Sequence, residues 1–306
     1  MQGLTLVTAL FLSRKSKICC NMKRQLSFTV ENGQDGISVL SFLRRYIGVP
    51  NAQIRAMKTY CGIKKQGSVI FTNAILHTGD VITLDLCDEN EKSEGILPSD
   101  TPLNIAFENE DVLIVNKPYD MPTHPSHGHY TDSLANAVMG YYNKKGENFV
   151  FRAVTRLDRE TSGLCVIAKN AFTHGFLIKQ LLSDDFLREY TALVHGVIEE
   201  AGFVEAPIRR REQSIILRCE APDGDYAYTL YTPIEKRADP TLLSLKLKTG
   251  RTHQIRVHMS HIGHALVGDG LYGIDKNERL CLHSSRVKLK LPFTNETVEL
   301  SSDIPF

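Results

Sequence analysis

The feature that most constrains the fold is a succession of short strand-like runs, with helical segments only at intervals. Strands of apolar or alternating character are predicted at residues 105–107, 112–115, 165–168, 190–195, 215–219, 226–231, 242–247, 287–289 and 297–300. Helices are predicted at residues 133–142, 171–182 and 253–261. Hairpin-like strands with interspersed helices favour an α+β fold around a mixed, largely antiparallel sheet.

The front of the chain predicts a separate, smaller α+β unit. Its predicted strands are residues 23–30, 68–71 and 81–86, and its predicted helices are residues 38–46 and 51–60. Residues 88–95 are charged and aperiodic, which is typical of a linker. We therefore predict an extension at 1–22, a small domain at 23–88, a linker at 89–100 and a large domain at 101–306. The extension is either a frayed tail or sequence upstream of a true start at Met22.

Positive charge is concentrated at the front. Residues 1–80 contain eleven Lys and Arg against three acidic residues, so they carry +8, whereas the whole chain carries +1. A basic segment on a mildly acidic body suits contact with phosphates. An ordinary solvated surface can carry the same charge run, so both interpretations stay open at this point.

The remaining composition bounds the location. No apolar run approaches the roughly 20 residues that a membrane-spanning helix needs. The apolar segment at residues 4–12 is followed by basic residues, which is the wrong order for a secretory signal. Seven cysteines are spaced irregularly and without a C-x-x-C pair. We therefore predict reduced thiols, a cytoplasmic location and no membrane association.

The most informative stretch is R-L-D-R-E-T-S-G at residues 156–163. It places Asp158 between Arg156 and Arg159, just before an apolar run. Neighbouring cations favour the charged form of a carboxyl, and an ionised aspartate can act as a nucleophile or as an electrostatic anchor. A surface loop of salt bridges would give the same pattern, so the spacing alone leaves both readings open.

Residues 156–163 also match the R-L-D-x-x-T-S-G signature of RluA-type RNA pseudouridine synthases. Further segments resemble that family in the expected order: N-K-P and H-P at residues 116–118 and 124–125, E-Y-T-A-L-V-H-G at 189–196, and G-R-T-H-Q-I-R-V-H at 250–258. One departure is Thr155, where the family commonly has histidine. The resemblance spans residues 101–306 and implies an α+β catalytic domain of the pseudouridine synthase type.

The resemblance implies that the chain isomerises uridine to pseudouridine in RNA. The base leaves the ribose, rotates and rejoins through carbon five, so no metal, nucleotide or other cofactor is expected. Asp158 is then the essential carboxylate, and it either attacks the anomeric carbon or removes a ribose proton to give a glycal. Arg256 is expected to pair with Asp158. Tyr190 would offer its ring to the uracil and its hydroxyl to the carbon-five proton, unless it is simply a packed strand aromatic.

The same resemblance implies substrate-binding residues. Arg156 is expected to occupy the space left by an extruded base. Arg251 and Lys248 are expected to contact phosphates, and His253 belongs to the same matched segment. The predicted partner is ribosomal or transfer RNA, bound by a monomer.

The front unit resembles the small RNA-binding domain named after ribosomal protein S-four. Arg55 and Lys58 lie in the matching helix and would bind RNA, and Gly79-Asp80 fits the motif. The usual V-N-G turn is replaced by K-Q-G at residues 65–67. The small domain is therefore predicted to bind RNA alongside the catalytic domain.

Two other functions fit parts of the sequence. A metallohydrolase would use the histidines crowded at residues 124–129 and 253–264, but these lack the paired histidines with an intervening glutamate that zinc hydrolases use. A catalytically inactive RNA-binding or ribosome-assembly factor could keep the fold without turnover. Such a factor would be expected to have lost Asp158, Tyr190 or Arg256, and all three are present.

Overall fold

A computed structural model describes residues 24–86, 93, 95–183, 185–235, 239–275, 278–294 and 296–306. The predicted extension at 1–22 and much of the predicted linker lie outside these residues. No helix within the described ranges is long and apolar enough to cross a membrane.

The front unit is a four-stranded antiparallel sheet covered by two helices. Its strands are β1 (Arg24–Thr29), β2 (Ile63–Lys65), β3 (Ser68–Val69) and β4 (Val81–Leu86), in the order β1–β4–β2–β3. Its helices are α1 (Val39–Arg45) and α2 (Asn51–Thr59). Ser38 begins α1, because its side chain accepts a hydrogen bond from the Ser41 amide. Val39, Phe42 and Leu43 share one helical face and enter the core of this unit.

The front unit packs against the large domain through aromatic rings. Phe172 of the large domain belongs to the hydrophobic core of the front unit. The Phe293 ring lies 4.6 Å from the Phe172 ring and 6.3 Å from the Phe28 ring, centroid to centroid. Arg24 adds hydrogen bonds of 3.3 Å to the Asp111 carboxylate. These contacts fix the front unit on one side of the large domain.

The large domain is built on one mixed sheet. Its strands are β5 (Ile105–Glu108), β6 (Val112–Lys117), β7 (Ser162–Ala168), β8 (Leu187–Val194), β9 (Gly202–Glu205), β12 (Tyr228–Glu235), β13 (Thr241–Leu247), β14 (Leu282–Lys290) and β15 (Thr297–Ser301). The order is β5–β6–β7–β14–β8–β13–β12–β9, with β15 paired to β14. Only the β7–β14 pair is parallel among the described strands, so the predicted α+β class with a largely antiparallel sheet is confirmed.

Three helices belong to this sheet: α3 (Leu134–Lys144), α4 (Ala171–Leu181) and α5 (Gln254–His261). The central strands are buried on both faces. Leu113 and Val115 of β6 join the core on the α3 side, whereas Val112 and Ile114 join the core on the α4 side. Alternating side chains of one strand therefore enter two different cores, which explains the continuous apolar run at 112–115.

One predicted strand is misplaced. Residues 215–217 were expected to begin a strand, but Ile215 and Ile216 lie in an exposed bend. The strand there is β11 (Arg218–Glu220), paired only with β10 (Ile208–Arg210) in a separate hairpin. This hairpin stands apart from the main sheet, so the apolar residues at its end have no sheet face to cover. The strands β9 and β10 were not predicted.

Candidate active site

A cleft of about 610 Å³ lies where the loop before β7 faces α5 and β8. It is lined by seven of the predicted site residues: Arg156, Asp158, Tyr190, Lys248, Arg251, His253 and Arg256. The other two, Arg55 and Lys58, lie exposed on α2 of the front unit and do not line the cleft. The structure therefore brings the predicted catalytic residues together and leaves the two basic residues of the front unit elsewhere.

Asp158 is held by the residues on either side of it. The Thr123 hydroxyl donates a 2.6 Å hydrogen bond to the Leu157 carbonyl, and the Leu157 amide donates a 3.1 Å hydrogen bond back to that hydroxyl. After Asp158 the chain turns, because the Thr161 amide donates to the Asp158 carbonyl at 3.1 Å. The Asp158 side chain is 29% exposed, so the carboxylate can be reached from the cleft while its backbone is fixed.

Lys117 anchors the same loop from below. Its side chain is completely buried at the end of β6. Its Nζ donates to the carbonyls of Pro118 (2.8 Å), Met121 (2.7 Å) and Arg159 (3.3 Å), so it ties the loop after β6 to the loop that carries Asp158. Burial lowers the pKa of Lys117 to about 8, against the opposing effects of Cys165 and Asp158.

Gly163 explains the glycine that ends the R-L-D-R-E-T-S-G stretch. Its φ of +112° lies in a region that favours glycine. A Cβ atom at this position would collide with the backbone of Ser284, which is its partner in the parallel β7–β14 pair. The glycine therefore lets the chain pass from the Asp158 loop straight into the middle of the sheet.

The predicted ion pair between Arg256 and Asp158 is wrong. Arg256 donates instead to Asp269, through Nε at 2.9 Å and Nη2 at 2.6 Å, and its Nη1 lies 2.9 Å from Glu160. Within the described part of the chain, no ion pair of 4.0 Å or less joins it to Asp158. The physical reason is that Asp269 is fully buried and offers a two-pronged partner to an arginine that is 2% exposed.

Arg256 nevertheless acts on Asp158 through its charge. Burial lowers the pKa of Arg256, but the Asp269 hydrogen bonds and the charges of Asp269, Glu160 and Asp158 raise it above its ordinary value. The guanidinium is therefore a permanent positive charge beneath the cleft. It lies within electrostatic reach of Asp158 without a direct hydrogen bond to it.

His253 faces Asp158, with Nε2 4.0 Å from Oδ2. Its φ of +58° at the start of α5 is unusual for a residue with a side chain. The ring is fixed by Tyr272, whose hydroxyl lies 2.7 Å from Nδ1 and accepts a 2.9 Å hydrogen bond from the Arg218 amide. Burial lowers the pKa of His253, so the imidazole is neutral at pH 7.

Tyr190 lies on β8 and lines the cleft while remaining almost fully buried. Burial raises the pKa of Tyr190, Arg188 opposes this effect, and Asp158 adds to it. The phenol is therefore protonated at neutral pH and can donate a proton or hydrogen bond. Tyr190 therefore belongs both to the hydrophobic core and to the lining of the cleft.

The rim of the cleft is basic. Arg156 is exposed and forms no ion pair with the residues described. Lys248 is exposed, with its ammonium 5.2 Å from the centroid of the Tyr228 ring. Arg251 is also exposed and forms a 3.4 Å ion pair with Asp225. These three cations face solvent around a cleft whose floor carries Asp158, which is the charge pattern expected for RNA with one reacting nucleotide.

Several site residues were not predicted, namely Lys117, Thr123, Glu160, Arg188 and Asp269. Lys117 stands inside the matched N-K-P segment, so its position was visible and its partners were not. Asp269 and Glu160 reach Arg256 only through tertiary contacts. Sequence spacing carries no signal for such pairs.

Comparisons with known proteins identify the family of the chain. Residues 111–261 match the family described as RNA pseudouridylate synthase. The chain is 38% identical over 242 residues to the uncharacterized RNA pseudouridine synthase YjbO of Bacillus subtilis, covering 78% of this chain and 85% of the relative. It is 36% identical over 233 residues to the ribosomal large subunit pseudouridine synthase D of Escherichia coli, covering 71% of this chain and 72% of the relative.

A solved structure gives the same result. The human RNA pseudouridylate synthase domain containing 1 superposes with a TM-score of 0.57 at 28% identity, covering 68% of this chain and 86% of that chain. The chain therefore belongs to the RNA pseudouridine synthase family, of the RluA type that its motifs indicated, and it is an RNA-modifying isomerase.

Proposed function

We propose that Asp158 is the catalytic carboxylate of this pseudouridine synthase. The observation that carries the proposal is the position of Asp158: its backbone is anchored by Thr123 and Lys117, and its carboxylate is 29% exposed in a basic-rimmed cleft. An anchored, accessible carboxylate can attack the anomeric carbon or take a ribose proton without reorganising. Both routes fit this geometry.

Tyr190 and Arg256 would assist in different ways. The protonated phenol of Tyr190 faces the same cleft and can exchange a proton with carbon five of the uracil. Arg256 would stabilise the negative charge of Asp158 from a distance, since its direct partners are Asp269 and Glu160. Arg156, Lys248, Arg251 and His253 would bind the RNA around them.

We further propose ribosomal RNA as the substrate, which is supported by relatives named ribosomal large subunit pseudouridine synthase. Transfer RNA is the alternative outcome. Pseudouridine mapping in cellular RNA with and without this gene tests both. A uridine in large-subunit ribosomal RNA that loses its modification supports the proposal, whereas loss confined to transfer RNA contradicts the assigned substrate, and no loss in any RNA contradicts the proposed function.

The front unit would extend the RNA-binding surface, as its resemblance to the S-four type of domain implies. Arg55 and Lys58 are exposed on α2, and Arg44 and Arg45 are exposed on α1. Removing the whole unit would uncover Phe172, so surface substitutions are the cleaner test. The double variant Arg55→Gln with Lys58→Gln should weaken RNA binding. The slope of log affinity against log salt concentration should fall by the amount expected for about two phosphate contacts. Unchanged affinity and slope would remove this role.

The enzyme is further proposed to act as a cytoplasmic monomer without cofactor. Among the described residues no group of three or more His, Cys, Asp and Glu lies close enough to hold a metal ion. Sedimentation of the purified protein tests the monomeric state. Activity measured after chelation tests whether a metal is required. A stable dimer or a loss of activity restored by a metal would contradict them.

A further inference from the structure

Arg188 is a buried arginine that lines the catalytic cleft. It stands on β8 two residues before Tyr190, so both side chains lie on the same face of the strand. It is only 8% exposed, yet it belongs to the lining of the cleft. Its charge also acts on the phenol of Tyr190. The guanidinium is therefore placed near Tyr190 in the cleft wall, in a buried position where few charged side chains are found without a partner.

The guanidinium lacks the partners that a buried charge requires. Its Nε is buried without any hydrogen-bond acceptor. The hydrogen bond that it does make is a long one, 3.4 Å from Nη2 to the Thr249 carbonyl. No acidic side chain among the described residues forms an ion pair with it. A buried guanidinium without a carboxylate is costly unless a ligand completes it.

The fold keeps space for this side chain. A Cβ atom on Gly250 would lie 2.8 Å from Nη1 of Arg188, closer than ordinary contacts allow. Glycine at this position therefore lets the guanidinium lie against the backbone of the 248–251 loop, which also carries Lys248 and Arg251 at the rim. The buried cation of β8 thus packs against the loop that carries the exposed cations.

We propose that Arg188 binds a backbone phosphate of the RNA strand next to the target uridine. The inference rests on the proposed function of the cleft. Uracil is neutral and cannot compensate a buried cation, whereas a phosphodiester brings the missing negative charge. The planar fork of arginine matches two phosphate oxygens. Arg188 lies about 6–7 Å along the strand from Tyr190, so its ligand would be the sugar–phosphate chain beside the base that Tyr190 faces.

Binding measurements on backbone-modified RNA test this assignment. The probe is the shortest fragment of large-subunit ribosomal RNA that the wild-type protein binds, made with one neutral methylphosphonate linkage at a time. Arg188→Gln should weaken binding about 10- to 100-fold, as expected for the loss of one charge-assisted pair. Its salt slope should fall by about 0.7–0.9, the value for one phosphate.

The methylphosphonate scan identifies the phosphate. A methylphosphonate at one linkage should weaken RNA binding by wild type about tenfold or more. The same substitution should weaken binding by Arg188→Gln less than about twofold, because the variant already lacks the interaction. Arg286→Gln is the matched control. Arg286 is paired with Glu299 and does not line the cleft. The methylphosphonate should therefore weaken RNA binding by Arg286→Gln as much as it weakens binding by wild type.

Two results would overturn the inference: binding by Arg188→Gln within about twofold of wild type, or an undiminished penalty at every linkage. If the Gln variant does not fold, Arg188→Lys keeps the charge but loses the fork, and it should bind about tenfold more weakly with a similar salt slope. Wild-type affinity for the Lys variant would then contradict the inference. Binding is read without turnover, so a wild-type protein that binds the fragment but forms no pseudouridine in any RNA contradicts the proposed function alone.

Discussion

The Arg256–Asp269 pair offers the most quantitative test of how the site is built. Asp269 is fully buried and accepts hydrogen bonds from both Nε and Nη2 of Arg256. It also accepts hydrogen bonds from the backbone amides of Leu271 and Tyr272, at 3.0 and 3.1 Å. Asp269→Asn keeps the shape but removes the charge, and it can turn an amide donor toward the guanidinium. Removing one partner of a buried ion pair typically costs about 3–5 kcal/mol of the free energy of unfolding.

The second partner of Arg256 reduces this cost. Glu160 lies 2.9 Å from Nη1 and remains in the variant, but it is 27% exposed, so water screens its charge. We therefore expect Asp269→Asn to lose about 3 kcal/mol, at the lower end of the range for buried pairs. The matched variant Glu160→Gln breaks the more exposed pair and should lose about 1 kcal/mol or less.

Urea unfolding followed by far-ultraviolet circular dichroism measures both variants, since the chain contains no tryptophan for fluorescence. The slope of the free energy against urea should stay unchanged, so that the shift in midpoint reports stability alone. An Asp269→Asn protein within about 1 kcal/mol of wild type would contradict this expectation. A larger loss for Glu160→Gln than for Asp269→Asn would refute it equally.

Three further predictions concern the residues around the cleft. Burial lowers the pKa of Lys117 to about 8, so above that pH the unfolded chain keeps a proton on Lys117 that the folded chain has lost, and this group's contribution to stability rises toward pH 10. Denaturant titrations at pH 7 and pH 10 should therefore show wild type gaining stability relative to Lys117→Met, and an unchanged difference between the two proteins would contradict this. Gly163→Ala should lose more than about 2 kcal/mol of unfolding free energy, because the added Cβ meets the Ser284 backbone at a positive φ; a midpoint equal to wild type would contradict this. Tyr190→Phe should lower kcat about 10²- to 10⁴-fold while RNA affinity is retained, as expected for a lost proton donor; unchanged turnover would reduce Tyr190 to a packing role.

Much of the fold could be predicted because its strands are apolar on both faces or alternate cleanly. The strand predicted at 112–115 ends two residues before the observed end of β6. The strand predicted at 81–86 has the observed bounds of β4. The segment at 215–217 failed for the opposite reason. Its isoleucines are apolar but exposed at the end of a separate hairpin, and no local pattern distinguishes an apolar hairpin end from the start of a strand.

The site residues themselves could be predicted from motifs, whereas their partners in the folded protein could not. Motifs located Asp158, Tyr190 and Arg256, and the structure places all three in one cleft. The partner of Arg256 could not be predicted, because the choice between Asp158 and Asp269 depends on loop geometry. Arg188 carried a signal that could have been used. An arginine two positions before Tyr190 on a strand must share its inward face, and a buried arginine is rarely found without a partner.

The proposed function requires that the carboxylate of Asp158 performs the chemistry. Asp158→Asn keeps the size of the side chain, and the His253 ring that faces it lies 4.0 Å away, beyond hydrogen-bond distance. Single-turnover formation of pseudouridine should fall by at least about 10⁴-fold. RNA affinity and unfolding midpoint should stay near the wild-type values, since the loop is anchored by Thr123 and Lys117. Product formed by this variant within about tenfold of the wild-type rate would contradict the account.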